Sequence, residues 1–238
     1  MLRKRGDDNY GHWHVEILPK LWLLDGQVDF DNVFLPKSHD EINKVYRDSI
    51  ALSSYKNYNR VSASKDEVYY AKELFLVDGM TYHGWYMSPL VFSRTDEIVN
   101  KLNGNGCRKV FISREGCGRN LNEESIFYDQ ISKMGFVKIN PKEMTYLEQI
   151  RYLKDADIVV GVMGAGLTNM MFCKRNTTVI SICPSSMPDT FFYLISQLRG
   201  LNYVEIRENN LHDVPGWNSK LGWDENTIKI IRARSESF

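Results

Sequence analysis

The sequence predicts an α/β protein, and three observations carry that expectation. From residue 108 onward, short β-branched runs alternate with helix-like runs. The links between them are short, as in successive βαβ units. The run "DIVVGV" is apolar after its first residue, which suits a central strand of a parallel sheet covered on both faces.

Each element has a local reason. "GHWHVEILPKLWLLDG" predicts a helix kinked or ended near Pro19, because proline removes a donor and crowds the preceding turn. "EINKVYRDSIALS" (41–53) predicts a helix and "EVYYAKELFLVDG" (67–79) a strand, so the first ninety or so residues form a second, smaller α/β layer. The boundary is expected within "HGWYMSPLVFSRTDE" (83–97), before the helix "DEIVNKLNG". "RKVFIS" (108–113) is a strand. "NEESIFYDQISKMG" (122–135) is a helix with Ile126, Phe127, Ile131 and Met134 on one face and Gly135 as its stop. "FVKI" follows as a strand. "TYLEQIRYLKDA" (145–156) opens with Thr145 and Glu148, the spacing of a capping box. Then come "DIVVGV" as strand, "GLTNMMFC" as short helix, "TTVISI" as strand, "DTFFYLISQLRG" as helix and "NYVEI" as strand. After Asn209 a loop-rich tail carries Pro215, Trp217 and Trp223. It ends in a helix-like "ENTIKIIRARS", expected to pack back on the first domain. The expected domains are therefore 1–92, joined by 207–238, and 93–206.

Composition narrows the partners. The 238 residues suffice for one large domain or two small ones, and 43% apolar with 25% charged content is ordinary for a globular protein. The formal net charge of zero gives no reason to expect nucleic acid or an anionic membrane as partner. The longest apolar run, Ile158 to Leu167, is about half of the ~20 residues that a membrane span needs. The N-terminus "MLRKRGDDNYGHW" has basic residues and no apolar core of a secretory signal, so a cytoplasmic protein is expected. Cys107, Cys117, Cys173 and Cys183 show neither CxxC nor zinc spacing and read as reduced thiols, two of them in the core. The "NTT" at Asn176 reads as a chance glycosylation motif.

Two places carry candidate chemistry. Gly164 and Gly166 close an apolar strand just before a helix, where open α/β sheets bind ligands. Bare backbone amides and a helix N-terminus there make an anion site, with Thr168 and Asn169 as further donors. The competing reading is tight strand–helix packing alone. Arg114, at the end of another strand, and Arg119 five residues on can share that sheet edge, and a guanidinium suits a diphosphate. In the first domain His12 and Glu16 are four apart and share a helix face, a general-base arrangement. The alternatives there are a structural His/Glu pair, or a metal site of His12, His14 and Glu16 if the segment were a strand.

"NYGHWHVEILPKLWLL", "KVFISR…RNLNEESIF", "GFVKINPKEMTYLEQIRYLKDADIVVGVMGAGLTNMMFC" and "VISICP" resemble, in order, the blocks of glycosyltransferase family 61. That family includes capsular-polysaccharide enzymes, plant xylan-decorating transferases and eukaryotic transferases acting on protein glycans. The similarity covers roughly residues 9–205, and Glu143 to Phe172 is its most specific part. It implies a GT-B-like architecture of two Rossmann-like domains facing across a cleft, the first binding the acceptor and the second the nucleotide sugar. It implies inverting transfer without metal or other cofactor from a nucleoside-diphosphate sugar, UDP-linked by expectation, to a glycan hydroxyl. Glu16 falls at the family's acidic position as candidate base, beside His12. Arg114 and Arg119 fall near the diphosphate, and Glu148 and Gln149 on the acidic–Gln pair. Gly164, Ala165, Gly166, Leu167, Thr168 and Asn169 fall on the phosphate loop. Two positions depart: Met163 stands where the family usually has histidine, and Ser181 where a glutamate is frequent. Both remove a polar group from the nucleotide side.

The chain begins almost at the acceptor block, where many relatives have a longer leader. The first domain is therefore minimal, or the chain is part of a larger protein and of a larger glycan-synthesis assembly. Two other classes stay open: another nucleotide-dependent Rossmann-type enzyme, for which the full dinucleotide fingerprint is absent, and a degenerate domain that binds glycan or nucleotide without turnover.

Overall fold

The computed structural model describes residues 8–64, 66–209, 211 and 220–236. Pro215 and Trp217 of the expected tail lie outside them. The chain divides into two compact units, Met1–Lys101 and Leu102–Phe238. The division therefore falls at 101/102 rather than near residue 92.

The first unit opens with α1 (Tyr10–His12), a wide π turn (Trp13–Ile17) and α2 (Leu18–Leu24). Pro19 explains the wide turn. It cannot donate to the carbonyl one turn back, and the Leu18 N–H reaches Trp13 O, five residues earlier. The helix continues past proline instead of ending there. Trp13, Val15, Ile17, Leu18 and Leu21 are buried. The strand β1 (Asn32–Pro36), helix α3 (Asp40–Ser53) and strand β2 (Asn59–Ala63) form one crossover with a parallel strand pair. Among the described residues this is a single β–α–β unit, smaller than the complete Rossmann-like domain expected. A hairpin of β3 (Thr81–Tyr82) and β4 (Tyr86–Met87), a 3₁₀ turn (Pro89–Phe92) and α4 (Thr95–Asn100) complete it.

Residues 67–79, expected as a strand, form no regular element. Val68, Tyr70 and Leu76 are exposed. Strand propensity reflects fit to a neighbouring strand and a buried face, and here neither is present. A buried ion pair ties the end of α2 to the end of α3 and the start of α4. Arg94 Nη1 lies 2.5 Å from Asp25 Oδ2 and 2.8 Å from Ser53 O, and Nη2 reaches Trp22 O and Asp25 O, both at 3.2 Å. Burial alone would raise the Asp25 carboxyl, but hydrogen bonds from Tyr58, Arg94 and the Tyr55 N–H hold it below the usual carboxylate range.

The second unit is built on five parallel strands. In chain order they and their helices are β5 (Lys109–Ile112), α5 (Glu124–Ser132), β6 (Val137–Ile139), α6 (Tyr146–Leu153), β7 (Ile158–Val162), a 3₁₀ helix (Ala165–Phe172), β8 (Thr178–Pro184), α7 (Phe191–Arg199), β9 (Asn202–Glu208) and α8 (Glu225–Ser235). The sheet order is β6-β5-β7-β8-β9. All residues of β7 and β8 are buried, as the apolar run of β7 requires, and in β8 burial takes in Thr178 and Ser181 as well. The capping box is present: Thr145 Oγ1 accepts from Glu148 N, and the Glu148 carboxylate takes the Thr145 N–H. Helix α6 and α7 pack on the 3₁₀ helix, while α8 packs on α5. The C-terminal helix thus belongs to the second unit, where it was expected to join the first. Phe127 and Ile131, four apart on α5, are buried, but Ile126 is 48% exposed. One residue is about 100° of rotation, which carries Ile126 off the core stripe. All four cysteines are free, with Cys173 and Cys183 buried. Among the described residues no helix is long and apolar enough to cross a membrane.

Candidate functional site

The strand order reverses between β5 and β7. The chain leaves β5 toward β6 on one side and leaves β7 toward β8 on the other. Ligands of doubly wound sheets bind outside the C-terminal ends at such a point. Two loops meet there, one running from Ser113 to Arg119 and the other from Met163 to Gly166. Ile112 and Gly161, near the two strand ends, are register partners.

The loops are tied together through arginine. Arg114 Nε donates to Arg119 O at 2.7 Å, and Arg119 Nε donates to Met163 O at 2.7 Å. The Arg114 guanidinium lies over Gly164 so closely that a Cβ there would meet Nη1 at 1.8 Å and Cζ at 2.4 Å. Glycine at 164 is therefore what lets the guanidinium lie where it does. Gly166 is a packing glycine: its Cβ would meet Pro141 Cγ at 3.3 Å and Ile112 Cγ2 at 3.6 Å. Both glycines are thus closely approached by other side chains, Gly164 by the Arg114 guanidinium and Gly166 by Pro141 and Ile112. Among the described residues the N–H groups of Ala165 and Gly166 have no backbone acceptor, while Leu167 N–H bonds Gly164 O at 2.8 Å.

Electrostatics favour an anion. Burial lowers the Arg114 guanidinium from its ordinary value. Burial, then the neighbouring Arg114 charge, takes Arg119 down to about 10. No carboxylate forms an ion pair with Arg114 among the described residues. Two desolvated like charges cost free energy that a bound diphosphate would recover.

The other expected residues divide by role. Asn169 is buried, and its amide donates to Gln149 Oε1 at 2.7 Å and Gly166 O at 3.1 Å, which shapes the loop from behind. Glu148 caps α6, accepting from Thr145 N at 2.8 Å and Oγ1 at 2.7 Å. Thr168 is buried, and its Oγ1 has no hydrogen-bond partner among the described residues. Met163 and Leu167 are buried, and Met163 serves the site through its carbonyl. Ser181 is buried beside Cys183 Sγ at 3.1 Å.

Glu124 escaped the sequence reading. Its carboxylate takes the Ser113 hydroxyl and lies 3.1 Å from Lys138 Nζ, fixing the start of the arginine loop. Its only signal was an acidic residue in the first turn after "RNLNE".

In the first unit, His12 Nδ1 lies 2.9 Å from Glu16 Oε2, with side chains 28% and 1% exposed. Their placement on a helical face was legible. His83 was not. It lies in the turn between β3 and β4, and its Nδ1 is 3.6 Å from Glu16 Oε1. His14 points elsewhere: it is fully buried, its ring 4.5 Å from that of Tyr10, and burial takes its pKa down to about 3. The His12/His14/Glu16 grouping, which needed a strand, does not form. A cavity of about 500 Å³ in this unit, lined by Phe30, Phe34, Tyr70, Leu74 and others, includes none of His12, Glu16 or His83.

Residues 10–180 match the family model Glycosyltransferase 61. The chain is 31% identical over 129 residues to a beta-1,2-xylosyltransferase of Oryza sativa subsp. japonica, covering 47% of this chain and 24% of that protein. It is 30% identical over 97 residues to a beta-1,2-xylosyltransferase of Arabidopsis thaliana, covering 36% and 18%. It is 34% identical over 70 residues to an EGF domain-specific O-linked N-acetylglucosamine transferase of Gallus gallus, covering 29% and 13%. The chain thus spans a quarter or less of the length of these relatives. With a match running through both the His12–Glu16 segment and the glycine loop, the chain belongs to glycosyltransferase family 61.

Proposed function

We propose that the protein transfers a sugar from a nucleoside-diphosphate donor, UDP-linked by preference, to a hydroxyl of a glycan acceptor, with inversion and without a metal. The second unit binds the donor and the first supplies the acceptor side and the base. The convergence of the Arg114 guanidinium on Gly164 at the switch point of the parallel sheet carries this reading.

An acceptor hydroxyl is a weak nucleophile at neutral pH. The His12–Glu16 pair takes its proton as the oxygen attacks the anomeric carbon opposite the leaving group. His12 is the more exposed partner and Glu16 the buried carboxyl group behind it. One displacement inverts the carbon. The departing diphosphate gains charge, which Arg114 and the Ala165 and Gly166 amides stabilise without reorganisation. The departures from the family pattern leave this machinery in place. Met163 works through its main chain, and Ser181 is buried against Cys183 Sγ. That favours turnover over a degenerate binding domain.

Glu16→Gln tests the proposal. General-base assistance is worth ~10²–10⁴-fold, so turnover should fall by that factor while nucleotide affinity stays within about 2-fold of wild type. Excess EDTA should leave wild-type turnover unchanged. Near-normal turnover by the Gln variant would remove the pair from the chemistry.

A further inference from the structure

His12, Glu16 and His83 each offer one ligand atom, and these atoms all lie within 4.8 Å of one another. We infer that they form a binding site for a divalent transition ion of the Zn²⁺ type, and that loading it withdraws the His12–Glu16 pair from catalysis. The inhibitory consequence rests on the proposed function; the binding does not.

The ligand set suits zinc. Two imidazoles and a carboxylate are borderline donors that suit Zn²⁺, whereas Mg²⁺ and Ca²⁺ prefer shells of oxygen. Zinc bonds of about 2.0–2.1 Å at tetrahedral angles place neighbouring ligand atoms about 3.3 Å apart. His12 Nδ1 lies 2.9 Å from Glu16 Oε2 and His83 Nδ1 lies 3.6 Å from the other oxygen, Oε1, so each imidazole faces one side of the same carboxylate at close to that spacing. The His12 and His83 ring centroids are 5.1 Å apart. Glu16 is fixed on the π turn and 1% exposed, while His83 is 47% exposed in a hairpin turn, the member best able to close the remaining gap. Three protein ligands leave one tetrahedral position for water or a substrate oxygen. A carboxylate and imidazole whose lone pairs bind zinc no longer accept a proton, so the ion and the base function compete for the same atoms.

The test titrates ZnCl₂ into the EDTA-stripped, reduced full chain by calorimetry. The expected result is one saturable site, weakened at least about 10-fold by His83→Ala and by Glu16→Gln, with no saturable heat from MgCl₂. His83 is half exposed, so its variant should fold; far-UV circular dichroism checks this, and it serves if Glu16→Gln does not fold. Absence of saturable zinc binding, or unchanged affinity in folded His83→Ala, overturns the site. In a transfer assay zinc should slow the wild type and EDTA should restore it. If zinc binds through His83 yet transfer runs at full rate, the site stands, its inhibitory role falls, and the base assignment falls with it.

Discussion

Replacing Gly164 by alanine should uncouple the arginine from the glycine loop. The new Cβ would stand 1.8 Å from Arg114 Nη1, where ordinary contact begins at 3.4 Å. The guanidinium must therefore retreat by roughly 1.6 Å, the difference of those two distances. Its Nε bond to Arg119 O is 2.7 Å long and would not survive such a shift intact. A misplacement of about 1 Å in a charge-stabilising group costs ~10²-fold in rate, and loss of one donor ~10²–10³-fold. Turnover should fall by about 10²-fold or more and nucleoside-diphosphate affinity should fall with it. The fold should persist, because the displaced atoms end a flexible side chain. Gly166→Ala is the control, since its Cβ meets Pro141 at 3.3 Å and no arginine; its turnover should drop far less. Steady-state kinetics with calorimetry on both variants is the assay. Equal loss in the two, or full activity in Gly164→Ala, would refute the argument.

Other outcomes follow from the first unit. Arg94→Leu leaves Asp25 buried without its partner and should destabilise this unit by about 3–5 kcal/mol, read as a lowered urea midpoint by tryptophan fluorescence. An unshifted midpoint would show the pair to be energetically idle. His14 has a folded pKa near 3 against an ordinary 6.5, so the unfolded chain takes up the proton first. Stability should be full above about pH 6.5 and fall below it, by about 2 kcal/mol at pH 5. His14→Phe should flatten that slope; the same slope in the variant would assign it to other groups.

The second unit was largely legible in the sequence because its signals are local. The apolar run of β7, the Thr145–Glu148 cap and the spacing of glycine after a strand each act within a few residues. The strand ends carrying Arg114 and Gly164 follow from the parallel topology. What was not legible depends on distance along the chain. His83 meets Glu16 from 67 positions away, a number given by their places in the sequence. Arg94 finds Asp25 from 69 away, with no motif to announce either meeting. The segment 67–79 has the composition of a strand and no partner to pair with, a fact that only the folded chain reveals. Arg119 also ties two loops together, its Nε donating to Met163 O 44 positions away, a contact that no local signal announces.

In the proposed function, Arg114 and the Gly164 loop hold the diphosphate. Calorimetric titration of UDP, GDP and CDP into wild type and Arg114→Ala tests it most directly. Wild type should bind at least one of them, and Arg114→Ala should bind it at least about 10-fold more weakly, as loss of a charge-assisted, partly buried contact requires. Equal affinity in the two proteins would contradict the claim.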